Sequence, residues 1–296
     1  MTKLAFIGLG NMGGGMAANQ AKAGHDVRAF DLVAAAVERA VQSGCKAAAS
    51  VGEAVKDADI VITMLPAGQH VRKVYAEEIA PNAQQGALLI DCSTIDVESA
   101  RAVAGEMSGF RFADAPVSGG IMAANAGSLA FMVGCHEADF ADVEAALAPM
   151  SRITIRAGDH GAGQAAKICN NMVLGISMLG VCEAFALAEK LGLDPERFFE
   201  IASKSSGQCW SLTTYCPWPG PVPTAPSNRN YADGFMTSLM LKDLKLAQEA
   251  AAKAGAATPL GAHAEGMYAL FERLGYGGKD FSAVLQLLRG KLSELG

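Results

Sequence analysis

The first β-rich run of this chain leads straight into Gly8-Leu9-Gly10-Asn11-Met12-Gly13, and no other feature narrows the fold as much. In a strand–turn–helix unit the first glycine permits a tight turn. The second lets backbone approach a pyrophosphate, and the third lets helix and strand pack closely. The helix N-terminus then offers N–H groups and positive potential to phosphates. The spacing alone is a weak signal. Here it opens the first βαβ unit, and Asp31 ends the second strand, close to the ~20 residues expected before a ribose-binding acid. A carboxylate there accepts hydrogen bonds from the adenine-ribose hydroxyls and repels a 2′-phosphate. No arginine follows in Leu32, Val33 or Ala34. The segment therefore predicts an NAD site, preferred over NADP, built from Gly8, Leu9, Gly10, Asn11, Met12, Gly13 and Asp31. The plainer readings are a glycine turn without a ligand and a strand-end helix cap at Asp31.

Downstream, short β-rich runs alternate with amphipathic stretches. Strands are predicted at 4–7, 27–30, 60–65, 87–91, 112–115, 130–133 and 153–155, with helices between most of them, as at 12–23 and 34–42. Such alternation predicts βαβ units on a parallel sheet covered on both faces. Runs such as Phe6-Ile7 and Ile60-Val61-Ile62 suit strands buried on both sides. Past residue 160 the pattern changes. No proline occurs between Gly163 and Leu191, and apolar residues recur at helical spacing. One helix of about 28 residues and roughly 42 Å is expected there. Asp194-Pro195 reads as an N-cap followed by proline at the first helical position. Further helices are predicted at 195–203, 237–254, 259–274 and 282–288, and a loop rich in Pro, Gly, Trp, Tyr and Asn at 205–235. The length of 296 residues suggests two domains, at roughly 150 residues each. The expected fold class is an α/β N-terminal Rossmann domain with a doubly wound, mostly parallel sheet over 1–160. An all-α C-terminal domain follows over 161–296, joined by the long helix.

Composition excludes several classes. Apolar residues make up 51% and charged residues 18%, which builds real cores and argues against disorder. A net charge of −6 without a basic block gives nucleic acid and anionic membranes no electrostatic attraction. The longest strongly apolar uncharged stretch, 172–182, falls short of the roughly 20 residues a spanning helix needs. Strand-like sequence from Lys3 leaves no room for a targeting peptide. Seven cysteines without a C-x-x-C pair read as reduced thiols of a cytoplasmic protein. His25, His70, His136, His160 and His263 lack metal-ligand spacing, so no metal is expected.

Chemistry is expected at strand ends and at the start of the long helix. Leu65-Pro66 and Asp91-Cys92-Ser93-Thr94 each end a strand, where open α/β sheets bind ligands; each also reads as a plain turn or cap. In Asp114-Ala115-Pro116-Val117-Ser118-Gly119-Gly120, the Ser118 hydroxyl and the glycine N–H groups suit a small carboxylate, or form a turn only. Gly158-x-x-Gly161-x-Gly163 leads into Lys167, Asn170 and Asn171, which share one helix face. A partly desolvated lysine near a helix N-terminus loses basicity. That suits a group taking a proton from a hydroxyl and returning it. The bland reading is a surface lysine beside two capping asparagines. Lys242-Asp243-Leu244-Lys245 has the spacing of a solvated helix face. Trp210 and Phe235 offer an apolar wall to a methyl-bearing substrate, or merely pack the loop.

Taken in this order, Gly8–Gly13 with Met16-Ala17-Ala18-Asn19, Asp91–Thr94, Asp114–Gly120, Gly158–Asn171 and Lys242–Ala247 resemble the β-hydroxyacid dehydrogenases. The resemblance spans essentially the whole chain and is strongest to the bacterial 3-hydroxyisobutyrate branch. It implies NAD-dependent oxidation of a small 3-hydroxy acid, first of all 3-hydroxyisobutyrate of valine catabolism, by a homodimer or homotetramer. It implies Lys167 as the catalytic general base and acid, and Ser118, Gly119, Gly120 and Asn171 as carboxylate-binding and orienting groups. It places Leu65, Pro66 and Thr94 at the nicotinamide half of NAD, Lys242 over the cofactor and Asp243 beside it; His70 falls where NAD is approachable. Two positions depart from the pattern: Cys216 stands where Asn is expected, and Gly15 where Pro is expected. The second is expected to matter only through helix entropy, the first through the pocket lining. Serine, 3-hydroxypropionate and glycerate or tartronate semialdehyde are the alternative substrates, and a non-catalytic dinucleotide-binding regulator is the alternative class.

Overall fold

The computed structural model describes residues 2–232 and 234–295. Two compact units emerge, the first ending at Lys167 and the second starting at Ile168. This division lies inside the long helix, whose start is hydrogen-bonded to strand ends of the first unit.

The strands of the first unit are β1 (Lys3–Ile7), β2 (Asp26–Phe30), β3 (Lys46–Ala47), β4 (Ile60–Thr63), β5 (Leu88–Asp91), β6 (Arg111–Asp114), β7 (Val117–Ser118), β8 (Leu129–Gly134) and β9 (Ser151–Gly158). Its helices are α1 (Gly13–Lys22), α2 (Ala34–Gln42), α3 (Val51–Val55), α4 (Gly68–Val74), α5 (Val97–Glu106), α6 (Gly120–Ala126) and α7 (Phe140–Leu147). The sheet order is β3-β2-β1-β4-β5-β6-β8-β7, with β9 beside β8. β1 to β6 pair in parallel, β8 runs antiparallel to β6 and β7, and β9 is parallel to β8. This is the expected doubly wound, mostly parallel sheet. The two-residue strands β3 and β7 carry too short an apolar run to be read from sequence.

The apolar strand runs now have a physical explanation. Side chains alternate between sheet faces with a period of two. Leu4 and Phe6 enter one core with Met16 and Ile62, while Ala5 and Ile7 enter the other with Val61 and Tyr75. Each fully buried Leu, Ile or Phe contributes about 1.5–3 kcal/mol, so both faces hold the sheet. The chain order reverses between β2 and β4 at β1, which is where a doubly wound sheet opens a crevice at its strand ends.

The long helix α8 (Ala162–Lys190) has 29 residues, about 43 Å. By length and apolarity it meets the requirement of a membrane span, which the stretch 172–182 alone does not suggest. Its Met178, Cys182 and Phe185 are buried in the second unit's core with Leu244, Tyr268 and Phe281, as in a core helix. The unit is completed by α9 (Pro195–Ala202), α10 (Trp210–Thr213), α11 (Thr237–Ala254), α12 (Pro259–Phe271) and α13 (Val284–Arg289). Among its described residues there is no strand, only an isolated bridge between Met236 and Asp280. The Asp194 carboxylate caps α9, accepting the Arg197 N–H at 3.0 Å. Two expectations change. The loop 205–235 contains α10 and a tight helical turn at Pro226–Arg229. The helix expected through 274 leaves α-geometry after Phe271, and Gly275 at φ +99° ends it.

Candidate functional site

The parallel strands β1, β4, β5 and β6 are neighbours, so their carboxyl ends share one edge of the sheet. Gly8 leaves β1 at φ +94°, and a Cβ there would lie 2.2 Å from the Met64 carbonyl oxygen. A Cβ on Gly13 would lie 2.0 Å from the Gly8 carbonyl oxygen, whereas one on Gly10 would meet nothing within 4 Å. Gly8 and Gly13 are thus obligatory for the turn, and Gly10 presents open backbone. Among the described residues no side chain caps α1 at Met12. Asp31 supports this turn: Oδ2 accepts the Leu9 N–H at 2.6 Å and Oδ1 the Val33 N–H at 2.8 Å. A bare helix N-terminus beside open glycine backbone, with a carboxylate at the end of β2, fits a dinucleotide pyrophosphate and ribose.

Gly15 has a reason of its own. A Cβ there would lie 2.3 Å from Asn125 Oδ1 and 3.1 Å from the Ala124 carbonyl carbon. The expectation that it acts only through helix entropy is therefore corrected: glycine lets α1 approach α6.

The next strand ends are tied together by buried polar groups. Asp91 Oδ1 accepts from Thr63 Oγ1 at 2.7 Å and from Ser93 Oγ at 2.5 Å. The Leu65 N–H donates to Ser93 Oγ at 2.7 Å, joining the Leu65-Pro66 turn to the Ser93-Thr94 turn. Burial raises the Asp91 carboxyl to about 6, against the pull of its Ser93 and Thr63 hydrogen bonds. Leu65 and Thr94 are half-buried, while Pro66 and His70 are exposed. Ser118 ends β7, and the chain then turns through Gly119 and Gly120 at φ +134° and +70° into α6. Ser118 and Gly120 are half-buried and Gly119 is exposed.

Lys167 is 6% exposed, a position at odds with the surface-lysine reading. The start of its helix is held by Asp114, whose Oδ1 accepts the Gly161 N–H at 2.6 Å and whose Oδ2 accepts the Gln164 N–H at 2.9 Å. Burial raises Asp114 to about 6, opposed by these backbone donors.

In the second unit, Asn171 is buried and its Nδ2 donates to Asp243 Oδ2 at 2.5 Å. Asn170 donates to Asn171 Oδ1 at 3.0 Å, so the asparagines form a relay rather than a helix cap. Asp243 is buried and sits 3.4 Å from Lys242 Nζ, while Lys245 is exposed. The solvated-face reading thus holds for Lys245 and fails for Asp243. Trp210 is 49% exposed and stacks on Tyr215 at 4.9 Å. Phe235 packs edge-on against Phe281, and its N–H donates to Asp280 Oδ2 at 2.7 Å. Tyr215 Oη donates to the same oxygen at 2.7 Å, so Asp280 ties the interior of the loop to its end. Cys216 is fully buried in the core, and burial pushes its thiol up to about 11.

Sequence reasoning missed Thr63, Gln164, Tyr215 and Asp280. Their partners lie far away along the chain, and no local spacing signals them. Among the described residues no group of His, Cys, Asp and Glu is arranged to hold a metal ion.

Residues 3–159 match the NAD binding domain of 6-phosphogluconate dehydrogenase. Residues 161–288 match a family described as "NAD-binding of NADP-dependent 3-hydroxyisobutyrate dehydrogenase". The 3-hydroxyisobutyrate dehydrogenase of Pseudomonas aeruginosa is 49% identical over 297 residues, covering 98% of this chain and 100% of that protein. An NAD-dependent L-serine dehydrogenase of the same organism is 45% identical over 291 residues, covering 97% and 98%. The solved structure of Mycobacterium tuberculosis 3-hydroxyisobutyrate dehydrogenase with L-serine matches with a TM-score of 0.94 at 48% identity, covering 98% of this chain and 99% of that one.

Proposed function

This chain belongs to the 3-hydroxyisobutyrate dehydrogenase family of NAD-binding oxidoreductases, and we propose that it oxidises 3-hydroxyisobutyrate to methylmalonate semialdehyde. The observation that carries this reading is the buried Lys167, set near the start of a helix that rests on the ends of β5 and β6, along the same carboxyl edge of the sheet as the glycine turn. Bound NAD supplies the hydride acceptor. The residues of the chain bind, orient and move a proton. Lys167 Nζ takes the hydroxyl proton during oxidation and returns it in reduction. Ser118 Oγ and the N–H groups of Gly119 and Gly120 hold the substrate carboxylate. Asn171, one turn beyond Lys167 on the same helix face and held by Asp243, is assigned the orienting role. Leu65, Pro66, Thr94 and His70 are assigned to the nicotinamide side of NAD, and Lys242 to the cofactor. Trp210 and Phe235 are assigned to the apolar wall of the substrate. Asp31 gives NAD the preference over NADP, because its carboxylate opposes a 2′-phosphate.

A second substrate, L-serine, is favoured by the L-serine dehydrogenase relative. Both substrates are short β-hydroxy acids and use the same proton and carboxylate groups. All seven cysteines are unpaired, which supports a reducing, cytoplasmic setting. The reading is completed by a homodimer or homotetramer acting in valine catabolism, on a small molecule, with no nucleic acid or membrane partner.

The test is NAD and NADP reduction with both enantiomers of 3-hydroxyisobutyrate and of serine, together with 3-hydroxypropionate and glycerate. A kcat/KM favouring one 3-hydroxyisobutyrate enantiomer with NAD by tenfold or more, about 1.4 kcal/mol, is the expected result. A tenfold preference for serine replaces the substrate and keeps the mechanism. No turnover of any panel member overturns the enzymatic reading.

A further inference from the structure

Two fully buried polar side chains at the start of α8, Asp114 and Gln164, have no role in the reaction just described. Asp114 accepts the Gly161 and Gln164 N–H groups. Gln164 reaches to the neighbouring strand end. Its Nε2 donates to the Ser93 carbonyl at 2.7 Å, and its Oε1 accepts the Ile95 N–H at 3.1 Å. The first turn of α8 is thus fastened to the ends of β5 and β6 together. The approach is close. A Cβ on Gly163 would lie 2.4 Å from the Met132 carbonyl oxygen and 2.7 Å from that of Asp114. A Cβ on Gly134 would lie 2.4 Å from Asp114 Oδ1.

An exposed Ser or Asp N-cap would satisfy the same N–H groups without burying a carboxylate. A buried carboxylate is costly to desolvate unless its hydrogen bonds are good. What the buried arrangement adds is position. Asp114 leads through its backbone into the Ser118–Gly120 turn, and through its side chain it holds the helix that carries Lys167 one turn beyond Gln164. One residue therefore sets the spacing between the group that moves the proton and the turn that holds the carboxylate. Gln164 prevents the helix from sliding along the strand ends.

We propose that Asp114 and Gln164 are positioning residues that fix Lys167 relative to the Ser118–Gly120 turn, so that their loss lowers turnover and spares cofactor binding. The proposal rests on the reading of Lys167 as the proton acceptor. A displacement of about 1 Å at a reacting group costs about 100-fold in rate.

The experiment compares Asp114→Asn, Gln164→Met and Lys167→Ala in the full chain, each checked for a cooperative melt. Asn puts an NH₂ donor where one backbone N–H needs an acceptor. Met keeps the bulk of Gln164 and loses its two side-chain bonds. For Asp114→Asn a kcat loss of about 10–100-fold is expected, with KM for the hydroxy acid and the NADH dissociation constant each within about two-fold. For Gln164→Met a smaller loss of the same kind is expected, and this variant carries the test if Asp114→Asn does not fold. Equal losses in kcat and NADH affinity, or losses that only follow the folded fraction, overturn the positioning role. An inactive Lys167→Ala beside fully active Asp114→Asn and Gln164→Met sinks the clamp alone. A fully active Lys167→Ala sinks the reading of Lys167 and the clamp with it.

Discussion

The turn from β1 into α1 and the turn from β9 into α8 are built alike and finish differently. Each carries glycines where a Cβ would strike backbone, Gly13 against Gly8 and Gly163 against Met132 and Asp114. Each points a helix N-terminus at the carboxyl edge of the same sheet. Among the described residues no side chain caps α1, which leaves its N–H groups and positive potential to an anion. The N-terminus of α8 is filled from inside by the Asp114 carboxylate. One glycine turn is a cradle and the other is a joint. Glycine spacing marks where backbone must come close; what distinguishes the two is that a carboxylate of the chain fills the second helix N-terminus and, among the described residues, none caps the first.

The largest effects come from breaking the turns themselves. Gly13→Ala is expected to raise the NADH dissociation constant by at least about 100-fold, or about 2.7 kcal/mol, in a fluorescence titration of protein that still melts cooperatively. Gly163→Ala is expected to leave that constant within a few-fold and to lower kcat by about 10–100-fold. If both variants lose NADH binding alike, cradle and joint are not separate devices.

A smaller effect sharpens the cradle. Asp31→Asn removes the charge at the end of β2, keeps its bulk and gives up one of its two backbone acceptors. The ratio of kcat/KM with NAD to that with NADP is expected to fall by about tenfold, or about 1.4 kcal/mol. An unchanged ratio would place cofactor selection elsewhere.

The smallest effect concerns the joint and is read from stability against pH. Burial raises Asp91 and Asp114 to about 6, from the ordinary carboxylate value of 3.8. The folded chain thus binds their protons before the unfolded chain does, and stability from these groups increases as pH falls from 7 through 6. Glu189 in the second unit behaves oppositely. Its hydrogen bonds to Arg289 and Lys291 lower it to about 2, so its contribution is present above 4.5 and is lost as pH falls toward 2. Asp91→Asn is expected to reduce the gain in melting temperature between pH 7 and 5 by about 2–4 °C, corresponding to roughly 1 kcal/mol. Glu189→Gln is expected to leave that interval unchanged and to reduce the loss below pH 4. A pH 7-to-5 slope untouched by Asp91→Asn would contradict the raised carboxyl.

Much of this molecule is legible along the chain. Helices 34–42 and 237–254 match α2 and α11 residue for residue, because amphipathic period and breakers such as Gly255 are local signals. The glycine turn and Asp31 are legible for the same reason: turn chemistry needs only a few adjacent residues. Lys167 is singled out along the chain by its place on a helix face shared with Asn171, but its burial is not visible there, since burial depends on what packs over it. Cys216 shows the converse. Beside a loop of aromatics it reads as pocket lining, and in the fold it is a core residue.

What the tertiary structure alone decided are the polar contacts that cross it. Asp114 meets Gly161 and Gln164 at separations of 47 and 50 residues, Gln164 meets Ser93 at 71, and Asn171 meets Asp243 at 72. Gly15 belongs here too, since its small size answers to Asn125 on another helix. Propensity and periodicity act over one or two turns of chain, so they specify elements and their caps. The order in which strands stack and the depth at which a side chain lies are set by packing across the whole sheet. Only that packing makes a buried carboxylate into a helix cap, or buries a lysine that the sequence alone would leave on a helix surface.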